Sequence, residues 1–472
     1  MHDRACVIGS GPNGLAAAIV LAQSGLAVEV FEAESTPGGA VRTLELTLPG
    51  FLHDFGSAVH PLGAGSPFFS SLPLDGYGLQ WVHSSAPLAH PLDDGTAVVL
   101  ERDLRDMKSS LGVDGDTWVR LLQPLIEHWE EIAEEVLRPP APRIPRHPWL
   151  LARFALRALT SAESIASRFR SHRTRALFAG LAAHSFLSLD QPLTGAFGIL
   201  MAVPAHTVGW PVPRGGSQAI TTALCGYLAT LGGSVKTSAR VVSLDDVSEH
   251  DLILCDVTPR QLLAIGGTRL SESYRKRLKK FRYGPGAFKA DYALSRPIPW
   301  RAPECARAAT VHLGGSFEEI AASEKAVQSG EHAERPFIIL AQPSLFDPSR
   351  APAGKHTAWA YCHVPNGSKL DMLARLEEQI ERFAPGFRDC VLARRAFSPA
   401  ELESMDANLV GGDIQGGAMD WRQFLTRPTW RHYDTSDPKI YICSASTPPG
   451  GGVHGMCGYH GARRALGRFR SG

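Results

Sequence analysis

No two cysteines in this chain are placed to work together. Eight are scattered over 472 residues, at Cys6, Cys225, Cys255, Cys305, Cys362, Cys390, Cys443 and Cys457, and no Cys-x2-Cys or Cys-x4-Cys pair occurs. A redox-active disulfide needs two thiols within bonding distance and a zinc knuckle needs closely spaced ligands, so the pattern excludes both, and no metal is expected. Several of the cysteines lie in apolar runs, where a thiol packs as a small hydrophobe. Net charge is almost absent as well: 48 Lys and Arg face 47 Asp and Glu, a formal charge of +1. That balance argues against nucleic acid or any other polyanion as a partner. No uninterrupted apolar stretch reaches the roughly 18 residues of a membrane-spanning helix. The first strand starts too early for a secretory leader to precede it, so a cytoplasmic protein is expected.

What the sequence does have begins at once. Gly9-Ser10-Gly11-Pro12-Asn13-Gly14 follows the apolar run Ala5-Cys6-Val7-Ile8 and precedes a helical stretch from Leu15 to Ala22. Glycines at this spacing allow a tight strand-to-helix turn, close approach of the backbone to a pyrophosphate, and tight packing of helix on strand. The helix N-terminus then faces the phosphates. A second run, Ala27 to Phe31, leads to Glu32, 18 residues past Gly14, where a carboxylate can accept from ribose hydroxyls. The ligand is therefore adenosine-like and lacks a 2'-phosphate, which leaves NAD and FAD both open.

Pro37-Gly38-Gly39, followed by Arg42-Thr43, separates them, since a nicotinamide fold has no need of a glycine pair there. The combination resembles the FAD-dependent phytoene desaturase and amine oxidase superfamily, in which Glu-x5-Gly-Gly-x2-Arg follows the first βαβ unit. The C-terminal run Pro448-Pro449-Gly450-Gly451-Gly452-Val453-His454 is similar to the PGGGV motif of the phytoene desaturases, and Asn408 to Ile414 and Gly417-Ala418-Met419 extend the likeness over most of the chain. Gly450-x-Gly452-x2-Gly455 also matches the dinucleotide pattern, but no acidic residue and no strand follow it, so no second nucleotide domain is expected. The resemblance implies FAD held by Gly9, Ser10, Gly11, Pro12, Asn13, Gly14, Glu32, Ala33, Gly38, Gly39, Arg42, Val241 (its backbone at the adenine), Gly451, Gly452 and Val453. It passes His53-Asp54-Phe55-Gly56 beside the flavin ring, and it makes His60, Lys289 and His454 the candidates for catalysis.

The expected fold is α/β: a Rossmann-like FAD-binding domain of the glutathione-reductase type, formed by 1–100, 206–275 and 426–472, with an inserted α+β substrate domain, 101–205 and 276–425. Strand-like runs at 288–294, 336–340 and 356–361 suggest an antiparallel sheet roofing the flavin, and 368–383 reads as an amphipathic helix. Within 138–175 stand nine arginines, no lysine and one acid, Glu163, with Trp149, Leu150, Leu151, Phe154, Leu156 and Leu159 among them. This is the composition of a helix lying on anionic lipid, or of one whose arginine stems cover apolar surface. The function implied is hydride transfer between a long apolar substrate (polyene, isoprenoid or acyl-like) and non-covalent FAD, introducing or rearranging C=C bonds, with oxygen, a quinone or another molecule as electron acceptor. A flavin amine oxidase with Trp359 and Tyr361 at the ring is the second enzymatic reading. A FAD-containing scaffold without turnover is the reading from another class.

Overall fold

A computed structural model describes residues 3–140, 145 and 147–471. Two sheets organise the chain. The first is a five-stranded parallel sheet in the order Ile440–Ile442, Leu252–Cys255, Arg4–Ile8, Ala27–Phe31, Ser234–Lys236. Val7 lies between Leu254 and Val30 in register. Parallel strands buried on both faces read as continuous apolar runs, as these do. On one face the helix Pro12–Gln23 packs Leu15, Ala16 and Ile19 against the sheet and the helices Gln218–Thr230 and Met456–Phe469. On the other, Cys6, Ile253 and Cys255 meet Leu262, Tyr274 and Leu278.

The second sheet has seven strands, in the order Val391–Phe397, Gly286–Leu294, His356–Val364, Ile338–Ala341, Ala308–Leu313, Ala86–Pro91, Ala97–Leu100. Side chains alternate between faces. Lys289, Ile339 and Tyr361 line a cavity on one side. Phe288, Leu340 and Cys362 pack on the other side beneath the helix Leu373–Phe383.

Three expectations change. The strands at 86–100 pair into this larger sheet and not beside the dinucleotide strands, because Leu88 and Ala89 run parallel to Thr310 and Val311. That same pairing is parallel, so the sheet is mixed and not wholly antiparallel. The helix expected from 368 begins at Leu373: Ser368 Oγ accepts from Leu370 N–H and the Asp371 carboxylate from Leu373 N–H, satisfying turn donors in place of a helical turn. The segment 101–205 is helical as expected, ending in Pro148–Ala158, Ala162–Ala166, His172–Ala183 and Thr194–His206. Arg143 and Arg146 of the basic insert lie outside the described residues. No described helix is long and apolar enough to cross a membrane.

Candidate functional site

The carboxyl ends of the parallel strands Arg4–Ile8, Ala27–Phe31 and Leu252–Cys255 open on a groove of about 270 Å³. Ligands of open α/β sheets bind at this edge. Gly9, Ser10, Gly11, Pro12 and Asn13 form its floor, with Glu32, Ala33, Gly39, Arg42, Val241 and Gly451–Val453 around it. Gly9 has φ +99°, which favours glycine, and a Cβ on Gly11 would come within 2.9 Å of Asp256 Oδ2. Such a floor is a cradle that side chains would fill, and it fits a diphosphate.

Two of the expected cofactor residues do not line the groove. Gly14 serves packing: its N–H donates to Asp256 Oδ2 at 2.8 Å, and a Cβ there would run into the Gly9 carbonyl. Gly38, at φ +131°, turns the chain and donates to Ser10 Oγ at 3.2 Å. Glu32 is 7% exposed. Its Oε2 accepts from Ser10 N–H at 3.0 Å and Ser10 Oγ–H at 2.5 Å, and its Oε1 accepts from Glu34 N–H at 2.9 Å. A carboxylate offers about four lone-pair sites, so one remains for a ligand hydroxyl.

Asp256 follows directly on the core strand Leu252–Cys255. Burial pushes its carboxyl up to about 7, with Asp406 and Glu32 adding to the rise and the Gly14 N–H opposing it. Asp406 and Asp413 also line the groove, and burial raises both. Position at the end of a parallel strand was the one sequence signal that could have found Asp256.

Beyond Gly451–Val453 the groove meets an apolar cavity of about 250 Å³. Ala40, Val41, Leu409, Ile414 and Gly451–Val453 line both spaces. Phe55, Gly56, Ser57, Ala58 and Val59 form one wall of the cavity, and Ala287, Lys289, Thr310, Ile339, Trp359 and Tyr361 of the larger sheet form the roof. No carboxylate lines it among the described residues.

The three candidate catalytic residues separate here. Lys289 lines the cavity, 3% exposed, with Nζ ion-paired to Asp291 and 5.8 Å from the Trp359 ring centre. Burial lowers the Lys289 ammonium and lifts Asp291 up to about 6 against the pull of Lys289. His60 lines neither space. Its Nε2 shares a hydrogen bond of 2.7 Å with Ser217 Oγ, and burial holds its imidazole near neutrality, down to about 4. His454 also faces away: its Nδ1 accepts from Met456 N–H at 3.0 Å and its carbonyl accepts from Ser66 Oγ at 2.7 Å, which makes it a loop brace. Burial takes this imidazole down to about 4 as well. Asp54 likewise turns from the cavity to pair with Arg350 at 2.6 Å and accept from Ser217 N–H at 2.7 Å. Sequence reasoning missed His184, which lines the cavity and shares an Nε2–Nε2 contact of 3.0 Å with His312. His312 shares one row with Ile339, Tyr361 and Lys289 across four strands, a row that exists only once the strands are paired.

The comparisons agree with this geometry. Residues 7–71 match the model of the NAD(P)-binding Rossmann-like domain family. The chain is 27% identical to the mouse "Pyridine nucleotide-disulfide oxidoreductase domain-containing protein 2", over 97% of this chain and 92% of that one. It is 25% identical to the lycopene-forming phytoene desaturase of Pseudescherichia vulneris, over 95% and 96%. In structure it is similar to a triple mutant of putrescine oxidase, with a TM-score of 0.62 at 14% identity over 100% of this chain and 99% of that one. All eight cysteines are free. The chain is thus an oxidoreductase similar in sequence to phytoene desaturases, with a fold like that of putrescine oxidase.

Proposed function

We propose that this protein binds FAD non-covalently along the groove and takes a hydride from an apolar substrate in the adjoining cavity, introducing or rearranging a C=C bond. The observation that carries the reading is the continuity of the two spaces: one loop, Gly451–Val453, walls both a diphosphate-shaped cradle and a cavity free of carboxylates. Bound there, FAD supplies the two-electron acceptor; the protein supplies position and dryness. Gly9–Asn13 would hold the diphosphate, Glu32 a ribose hydroxyl and Val241 the adenine. Ala40, Val41 and the 55–59 wall would pack on one side of the ring site, while Ile339, Trp359 and Tyr361 exclude water from the other. Lys289 can hold a proton at Nζ on the cavity wall, and Asp291 keeps the pair neutral overall.

An amine oxidase reading draws on Trp359 and Tyr361, whose ring centres are 5.1 Å apart on the cavity roof. A cationic amine, however, would meet the Lys289 ammonium and find no lining carboxylate to balance it. Anaerobic addition of polyene, isoprenoid, acyl and amine panels to the flavin-loaded protein tests the choice. We expect bleaching of the visible flavin band by a member of the apolar panels; bleaching by amines alone would overturn the reading. We also propose peripheral contact with anionic lipid through the helix Pro148–Ala158, where Trp149 is 88% exposed and Leu156 and Leu159 are exposed beside it.

A further inference from the structure

Arg427 is a buried cation without an anion. It is 0% exposed, and among the described residues no carboxylate lies within ion-pair distance of it. Its donors go to backbone instead: Nη2 to the carbonyls of Ala445 at 2.7 Å, Gly416 at 3.0 Å and Gln415 at 3.3 Å, and Nε to Ser446 O at 3.4 Å. Nη1 meets Met419 Sδ. The ionisable groups that act on it are Cys457 and Asp413, neither in an ion pair with it, and burial lowers its affinity for its proton. Removing a guanidinium from water without a paired anion is costly, and proteins seldom do it unless a charge elsewhere repays it.

The position shows where that charge belongs. Gly416 and Ala445 line the dinucleotide groove, Gln415 lines the apolar cavity, and a Cβ on Gly450 would stand 3.5 Å from Arg427 Nη1. Arg427 therefore sits one backbone layer behind the junction of the two spaces. Turning four carbonyl oxygens toward itself, it also keeps their negative ends out of that junction. Among the groove's own side chains Asp406 and Asp413 work the other way, and its cations Arg42 and Arg240 stand with Glu32 and Val241 on the adenosine side.

We propose that Arg427 is a positioning residue that supplies, through this backbone layer, the positive charge that favours the reduced, negatively charged form of the flavin at the junction. The inference rests on the FAD reading above. With FAD laid so that its diphosphate meets Gly9–Asn13, the junction receives the end of the cofactor that gains charge on reduction, and a buried guanidinium in low dielectric acts over several ångströms.

The test uses the purified full chain with its flavin. Arg427→Gln should lower the flavin midpoint potential, measured against reference dyes, and weaken sulfite binding to the flavin about tenfold or more, a factor worth about 30 mV for a two-electron couple. Arg427→Lys, which keeps the charge and loses the fork, should stay closer to the parent. Asp413→Asn should shift the potential upward, so the proposal stays testable if Arg427→Gln does not fold. Potential and sulfite affinity unchanged in Arg427→Gln, or in Asp413→Asn where Arg427→Gln does not fold, would overturn it. So would weaker binding of oxidised FAD with an unchanged potential, since the charge would then belong to the diphosphate. A protein that carries no flavin at all would instead defeat the FAD reading itself.

Discussion

The groove and the cavity share a wall and are built on opposite plans. The groove is made largely of backbone and of buried carboxylates at the ends of parallel strands. The cavity is made of side chains from a sheet whose strands come from the first, middle and last parts of the sequence, and its charged groups are paired inside the protein. A backbone site depends on glycines at fixed spacing, so one methyl group can close it. A side-chain site depends on packing, and substitution there is felt first as stability.

The sharpest way to break that contrast is Gly11→Ala. Its methyl would stand in the cradle against Asp256, and we expect a folded protein with little or no bound flavin, read from the ratio of visible to protein absorbance. Full occupancy would remove the cradle assignment. Next in size, Lys289→Met leaves Asp291 buried without its partner and should cost about 3 kcal/mol in urea unfolding, while adding Asp291→Asn restores much of it. Additive losses would show that the two groups do not act as a pair.

Asp256 gives a smaller and pH-dependent effect. The folded state holds its proton up to about 7, whereas the unfolded chain releases it near the ordinary value of 3.8, so this group costs stability increasingly as pH rises from about 4 to about 7. A neutral Asp256 also suits a negatively charged diphosphate. FAD affinity should then fall several-fold between pH 6 and pH 8, and Asp256→Asn should flatten the profile in equilibrium titrations; an unchanged slope would contradict the assignment. Least of all should Trp149→Glu matter to the chemistry: flavin content and potential stay as they are, and salt-sensitive co-sedimentation with anionic liposomes is lost. Of the insert's arginines, Arg157 already donates to Leu121 O at 2.7 Å, Arg173 to Ala97 O at 2.7 Å, and Arg175 pairs with Glu318 at 2.8 Å. Among the described arginine side chains of the insert, Arg168 and Arg170 are exposed, and with the exposed apolar groups they are those the proposed lipid contact would use.

The same contrast explains what could be read in advance. Gly9 to Gly14 and Glu32 act through local backbone geometry, which spacing records, and the parallel sheet follows from apolar runs of matching length. Lys289 was legible as a strand residue, and its pairing with Asp291 follows from period-two alternation along one strand. His60 and His454 were not, because proximity to a motif says nothing about which way a ring turns; Ser217 and Met456 decide that. Strands 86–100 escaped for a related reason, since their partners lie at 308–311, more than two hundred residues away in the chain. Arg427 is silent in sequence because its partners are carbonyl oxygens, which every residue has.

The order of the strands carries a consequence for how the protein comes into being. Arg4–Ile8 stands in the middle of its sheet, yet its neighbour Leu252–Cys255 emerges from the ribosome long after it, and Ile440–Ile442 later still. The larger sheet has its own delay, with 86–100 waiting for 308–313. The larger sheet has all its strands once Val391–Phe397 is made, whereas the parallel sheet still waits for Ile440–Ile442. Such long-range pairing slows folding and leaves strand edges open meanwhile, so the groove is completed only after the roof of the cavity has all its strands.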